Sequence, residues 1–185
     1  MERRSSSDSS EGVNFLTALL VRFPEVGSAT LTHNGQLLAL DFYLTRRLKK
    51  AELSEFEENL RLSWEVFFSL QRVRARETQF RRTDTRRGSF EHSGEEGSQE
   101  VDSIQIVRDV ESMTVEELSL VVSLVSDRFG RDLAINEEMQ EDDEEYQDDL
   151  VHRSLELVRG QSQEVDLTGF RDDMRVLIYA SEGGD

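Results

Sequence analysis

The sequence predicts an α+β fold in which helices pack on a mixed β-sheet, in the order α-β-β-α-(loop)-β-α-β-α-β. Three observations carry this. Asn34-Gly35 sits between two apolar runs, the mark of a tight hairpin, because a type I′ turn needs positive φ at both central residues. Four stretches, 15–23, 53–73, 118–129 and 146–158, repeat apolar residues at helical spacing. Residues 174–180 are apolar on both alternating faces, which predicts an interior strand.

Residues 1–11 are rich in Ser, Asp and Glu, with no apolar side chain after Met1, and are read as a disordered tail. Asn14 is the expected cap of a helix bearing Phe15, Leu16, Leu19, Leu20 and Phe23, which Pro24 ends. Strands are expected at 28–33 and 36–44. In the second, Leu38, Leu40, Phe42 and Leu44 share the face assigned to the core, and Leu37, Ala39, Asp41 and Tyr43 share the other.

A long helix is expected over 50–76. Leu53, Phe56, Leu60, Trp64 and Phe67 form one stripe, and Leu62, Val66, Leu70 and Val73 a second beside it. So wide an apolar arc predicts burial on more than one side, either within the fold or against a second copy through the helix bearing Trp64 and Phe67. From 79 to 99 only Phe80 and Phe90 are apolar, so a flexible polar and basic insertion is expected at about 77–100.

Order resumes with a strand at 101–110, where Ile104 and Ile106 share a face. Thr114-Val115-Glu116-Glu117 reads as a capping box, with the Thr hydroxyl and the Glu117 carboxylate both satisfying helix-start N–H groups. Leu118, Val121, Val122, Val125 and Phe129 follow as an amphipathic stripe, and Gly130 is read as its stop. A short strand is expected at 133–135. Another helix carries Tyr146, Leu150, Val151, Leu155 and Val158 up to Gly160, and a polar link leads to the last strand. The expected organisation is one α+β domain over 12–180, with a short tail at 181–185.

Composition narrows the chemistry. The chain has 185 residues, 36% hydrophobic and 33% charged, and a net charge of −17. Its modest apolar share predicts a small core with much solvated chain. No apolar run reaches the length of a membrane span, and the first residues lack a signal-peptide core. There is no cysteine, which removes disulfides, thiolate nucleophiles and Cys-ligated metals. A cytoplasmic location is the simplest expectation.

His33, His92 and His152 have no metal-ligand spacing, and neither a nucleophile elbow, a P-loop nor a GxGxxG turn is present. No catalytic residue, metal or cofactor is assigned. Carboxylates are too many for any one pair to stand out as an acid–base couple, so an enzyme is disfavoured.

Charge is instead divided along the chain. Residues 1–87 hold 15 Lys/Arg against 12 Asp/Glu, and residues 88–185 hold 7 against 27. Arg72, Arg74, Arg76, Arg81, Arg82, Arg86 and Arg87 form a basic segment suited to phosphate, with Phe80 and Phe90 placed to stack on bases. The alternative expectations are that these arginines are simply solvated, or that they fold against the chain's own acidic half. Arg86-Arg87-Gly88-Ser89 and Arg3-Arg4-Ser5-Ser6 match a basophilic kinase pattern, a short motif that arises often by chance.

Residues 137–149 hold nine acids in thirteen, among them Glu141, Asp142, Asp143, Glu144 and Glu145, candidates to meet a basic partner. They lack EF-hand spacing, and a helix start accounts for some of them. Two functional expectations follow. The first is a non-enzymatic interaction or regulatory protein with opposed basic (72–87) and acidic (137–149) segments. The second is RNA binding through the arginines, with steep salt dependence.

Overall fold

The computed structural model describes residues 5–32, 36–75, 77–85, 101–134, 144–161, 165–172 and 175–181; side chains are described for these except at 5–9, 83–85, 101 and 144. The order is α1 (Ser5–Arg22), β1 (Ser28–Leu31), β2 (Leu37–Leu44), α2 (Lys50–Gln71), β3 (Thr78–Thr85), β4 (Val101–Asp109), α3 (Val115–Phe129), α4 (Glu144–Val158), β5 (Asp166–Asp172) and β6 (Arg175–Ser181). The six strands form one sheet in the order β3-β4-β2-β1-β5-β6, and every neighbouring pair is antiparallel. The α+β class holds, but the sheet is antiparallel and not mixed. Among the described residues no strand has a parallel neighbour, and β5 reaches β1 antiparallel.

Register explains the core. Leu31, Leu38 and Leu167 fall in line across β1, β2 and β5, and Leu40 and Ile106 pair across β2 and β4. All five are buried, as are Phe42, Leu44 and Ile104 on the same face. The helices stand on that face. Leu16 and Leu20 of α1 lie over Gly169 of β5, Phe56 of α2 meets Phe80 of β3, and Glu117 of α3 reaches Arg108 of β4. The α4 side chains Val151, Leu155 and Val158 are fully buried, and Arg159 donates to the Val110 and Met113 carbonyls beside α3.

Several sequence expectations need correction. Helix α1 begins at Ser5 and runs through Asn14, so Asn14 is an exposed helical residue and not a cap. Residues 78–85, read as loop, form β3. A strand at the sheet edge needs only one inward apolar residue, Phe80, and tolerates charge on its margin, so it carries no apolar alternation to read. The polar link likewise holds β5, whose inward positions include the small Gly169.

The strand at 133–135 reduces to one bridge, Leu44 with Leu133, after a 3₁₀ turn at Gly130–Asp132. Gly130 has φ −50° and ψ −38°, so the chain passes through it helically and it is not a left-handed stop. Gly160 is one, with φ 71°. Strand β6, read as interior, lies at the sheet edge. The turn at Asn34-Gly35 lies outside the described residues, although the antiparallel pairing it implied between β1 and β2 is present.

Candidate functional site

Helix α2 resolves the two-stripe problem. Its inner stripe is Leu53, Phe56, Leu60 and Trp64, all buried. Phe56 packs against Phe80 and Phe129 with ring centroids 5.8 and 5.0 Å apart, and Trp64 stacks on Phe68. Among the described residues the expected second burial is missing from α2, where Leu62, Val66 and Leu70 are 45, 60 and 78% exposed, while Val73, past the helix end, is half-buried. Trp64 thus belongs to the core and Phe67 is half-buried, and the apolar stripe that α2 leaves exposed is Leu62, Val66 and Leu70. The buried Trp64 Nε1–H has no acceptor among the described residues.

The arginines divide. Arg72 ends α2 in the left-handed conformation, φ 55°, and Arg72, Arg74 and Arg81 are exposed. Arg81 donates to Gln79. Arg82 donates from Nη2 to both oxygens of Asp102, at 3.1 and 3.0 Å, on the helix-covered face. Asp102 is itself buried and accepts from the Leu48 N–H ahead of α2. One arginine of the segment therefore meets the acidic half of the chain, as an internal strut. Phe80 faces inward against Phe56 and is half-buried. Arg76, Arg86, Arg87, Ser89 and Phe90 lie outside the described residues.

Of the acidic run, Glu141, Asp142 and Asp143 lie outside the described residues, and Glu144 opens α4 with its side chain undescribed. Glu145 is exposed. Asp148 accepts from Arg22 Nε of α1 at 2.6 Å, and Asp149 from Arg153 one turn on. These two carboxylates hold α4 against α1 and its own turn. Tyr146, Leu150 and Leu157 of the same helix are exposed, and so is His152.

Two polar clusters escaped the sequence reading. Arg108, Asp109 and Glu117 are 2, 5 and 1% exposed. Arg108 donates through Nε and Nη2 to the two oxygens of Glu117, through Nη1 to Asp109 and to the Glu77 carbonyl, and its guanidinium lies 5.3 Å from the Phe68 ring centre. Burial alone disfavours the Arg108 charge, but Glu117 and Asp109 outweigh it and its pKa is raised. Burial also pushes the Asp109 carboxyl up. Hydrogen bonds from Ser112 and the Glu77 N–H, with the charge of Arg108, overcome that and bring it to about 2. Half of the capping box is present: Thr114 Oγ1 accepts from the Glu117 N–H at 3.2 Å. The Glu117 carboxylate is given to Arg108 instead of the helix start, which the local pattern could not reveal.

The second cluster sits on the sheet face opposite the helices. Asp41 accepts from Gln105 Nε2 at 3.0 Å and from Ser28 Oγ at 3.1 Å, and Ser28 Oγ lies 2.9 Å from Tyr43 Oη. Gly27 leaves room for the Tyr43 ring, since a Cβ there would come within 2.2 Å of it. Desolvation raises the Asp41 carboxyl above its ordinary value, against the two hydrogen bonds. A lone charged residue within 36–44 was the one available signal. Among the described residues no group of three or more His, Asp or Glu is placed to hold a metal, and no helix is long and apolar enough to cross a membrane. Comparison with protein-family models, curated proteins and solved structures finds no match.

Proposed function

We propose that this chain is a non-enzymatic, cytosolic interaction or regulatory protein whose docking surface is the outer stripe of α2. The observation that carries the reading is the exposure of Leu62, Val66 and Leu70 at four-residue spacing, on a helix whose opposite stripe already serves the core. Burying a side chain of this size is worth roughly 1.5–3 kcal/mol, so leaving three in water costs stability that a partner would restore. Arg72 and Arg74 follow the stripe at the helix end and are exposed. An amphipathic helix with an acidic end fits that arrangement: apolar anchors lie along α2 and carboxylates meet the arginines. The acidic segment 137–149 has the composition to suit a basic partner, with Asp148 and Asp149 already paired to Arg22 and Arg153.

RNA binding is the second reading. It retains Arg72, Arg74 and Arg81, while Arg82 and Phe80 are engaged with Asp102 and Phe56.

The test is site-specific photo-crosslinking in the host cell. A photoreactive residue at Val66 is expected to capture a discrete protein adduct that the same residue at Glu57, exposed on another side of α2, does not. Equal labelling from both positions would overturn the assignment.

A further inference from the structure

We propose that the occupant of the α2 stripe is α2 of a second copy, running in the opposite direction and crossing at Val66. This rests on the reading above and deepens it, because it names the partner of the same surface.

The stripe belongs to a longer row. Glu58, Leu62, Val66 and Leu70 follow one another at four-residue spacing along α2, and Arg74 continues the count just past the helix end. All five are exposed. The row therefore runs from an acid, through three apolar side chains, to a base. A helix presents residues at this spacing as a ridge. Two such ridges interdigitate in the commonest class of helix contact, with axes inclined at about 50°.

Charge determines what this ridge accepts. Other exposed charges of α2 are satisfied within the chain, Arg61 by Glu65 and Glu55 by Arg128. Glu58 and Arg74 have no ion-pair partner among the described residues, and neither has Arg72 beside the basic end. A partner must then bring a base to Glu58, apolar side chains to the middle and an acid to Arg74. Taken in reverse, the same row supplies that order. A two-fold axis at Val66 sets Leu62 against the partner's Leu70, Val66 against its own counterpart, and Glu58 against the partner's Arg74. A parallel pair would set Glu58 against Glu58 and Arg74 against Arg74, so charge also selects the direction. An arbitrary helix lacks this property. Its ends match only if they carry opposite unpaired charges equally far from the apolar centre, as Glu58 and Arg74 are from Val66.

The chain has no cysteine, so Val66→Cys introduces a single thiol at the crossing point. Mild oxidation of the full chain is expected to trap a disulfide-linked dimer of twice 21.3 kDa. Glu57→Cys, exposed on another side of α2, is expected to stay largely monomeric. Sedimentation velocity over a range of concentrations follows association without the cross-link. Arg74→Glu sets like charges at both ends of the contact and is expected to raise the dissociation constant about tenfold. Glu58→Arg combined with Arg74→Glu exchanges the charges and is expected to return it to within about threefold of wild type. Circular dichroism checks that each variant is folded, and should a charge variant misfold, the two cysteine variants decide. A wild-type chain that stays monomeric, equal cross-linking from both cysteines, an Arg74→Glu variant that associates like wild type, or a charge exchange that restores nothing would each overturn the proposal. The photo-adduct from Val66 separates this failure from that of the broader reading. An adduct at twice the chain's mass supports the pairing. A discrete adduct of another mass leaves the α2 surface standing and overturns self-pairing, and no discrete adduct removes both.

Discussion

Replacing Glu117 with alanine is the perturbation that the buried charge cluster makes most consequential. Glu117 is 1% exposed and accepts two hydrogen bonds from Arg108, which is itself 2% exposed. Removal leaves the guanidinium in place without its principal counter-charge, held by Asp109, the Glu77 carbonyl and the Phe68 ring. Breaking a buried pair from one side costs about 3–5 kcal/mol, because the remaining charge stays desolvated. That is a large share of a total stability of about 5–15 kcal/mol. For a chain of this size it lowers the melting temperature by roughly 6–20 °C.

The assay is urea denaturation followed by circular dichroism, with the midpoint falling and the slope unchanged. The companion variant, Arg108→Met with Glu117→Leu, removes both charges and keeps apolar volume. It is expected to recover at least half of the loss, since a well-packed apolar pair replaces an ion pair at little cost. A loss below about 1 kcal/mol in Glu117→Ala would refute the reasoning, because Arg108 would then not depend on that carboxylate.

Other expectations address backbone, pH and the arginines. Gly160→Ala is expected to destabilise by about 1 kcal/mol, since φ there is 71°. Gly130→Ala should instead stabilise by about 0.4–1 kcal/mol, because its backbone is helical and a Cβ meets nothing within 4 Å; thermal melts of the two variants check the contrast. Asp41 has a folded-state pKa raised above the unfolded value of 3.8, so its contribution to stability is complete below 3.8 and is lost as pH climbs through the folded value. Asp41→Asn is therefore expected to raise the melting temperature at pH 7 and to leave it unchanged near pH 3, and a gain that is equal at both pH values would contradict this. Fluorescence anisotropy with mixed-sequence single-stranded RNA is expected to show no binding at physiological salt. Micromolar binding lost when Arg72, Arg74 and Arg81 become Gln would promote the RNA reading over the α2 stripe.

The parts of the fold that were readable in the sequence are those where one face is buried and the other is not. Strand β2 is the plainest case, because Leu38, Leu40, Phe42 and Leu44 alternate with residues on the helix-free face and fix the register of half the sheet. The inner stripe of α2 and the stripe of α3 were readable for the same reason. What failed were elements whose role depends on neighbours far along the chain. Strand β3 is held by its ladder with β4 and by Phe80 and Arg82 on the helix-covered face, and those two side chains make no apolar period. The sequence of β6 says interior while the sheet places it outermost, a disagreement that only topology exposes.

Glu117 illustrates the limit for the candidate sites. Its spacing from Thr114 matched a local capping rule, yet a guanidinium nine residues earlier, on the neighbouring strand, took the carboxylate. The outer stripe of α2 was visible as apolar periodicity from the start. Its exposure was not, because periodicity counts apolar faces and cannot say which of them the rest of the chain will cover.

The central claim is that this exposed stripe exists for a partner, and the cross-linking yield from one position tests it most directly. A photoreactive residue placed at Ser69, at the edge of the stripe, is introduced into the wild-type chain and into one carrying Leu62→Gln, Val66→Gln and Leu70→Gln. The triple variant is expected to remain folded and its discrete adduct to disappear. An adduct of undiminished yield from the folded triple variant would contradict the claim.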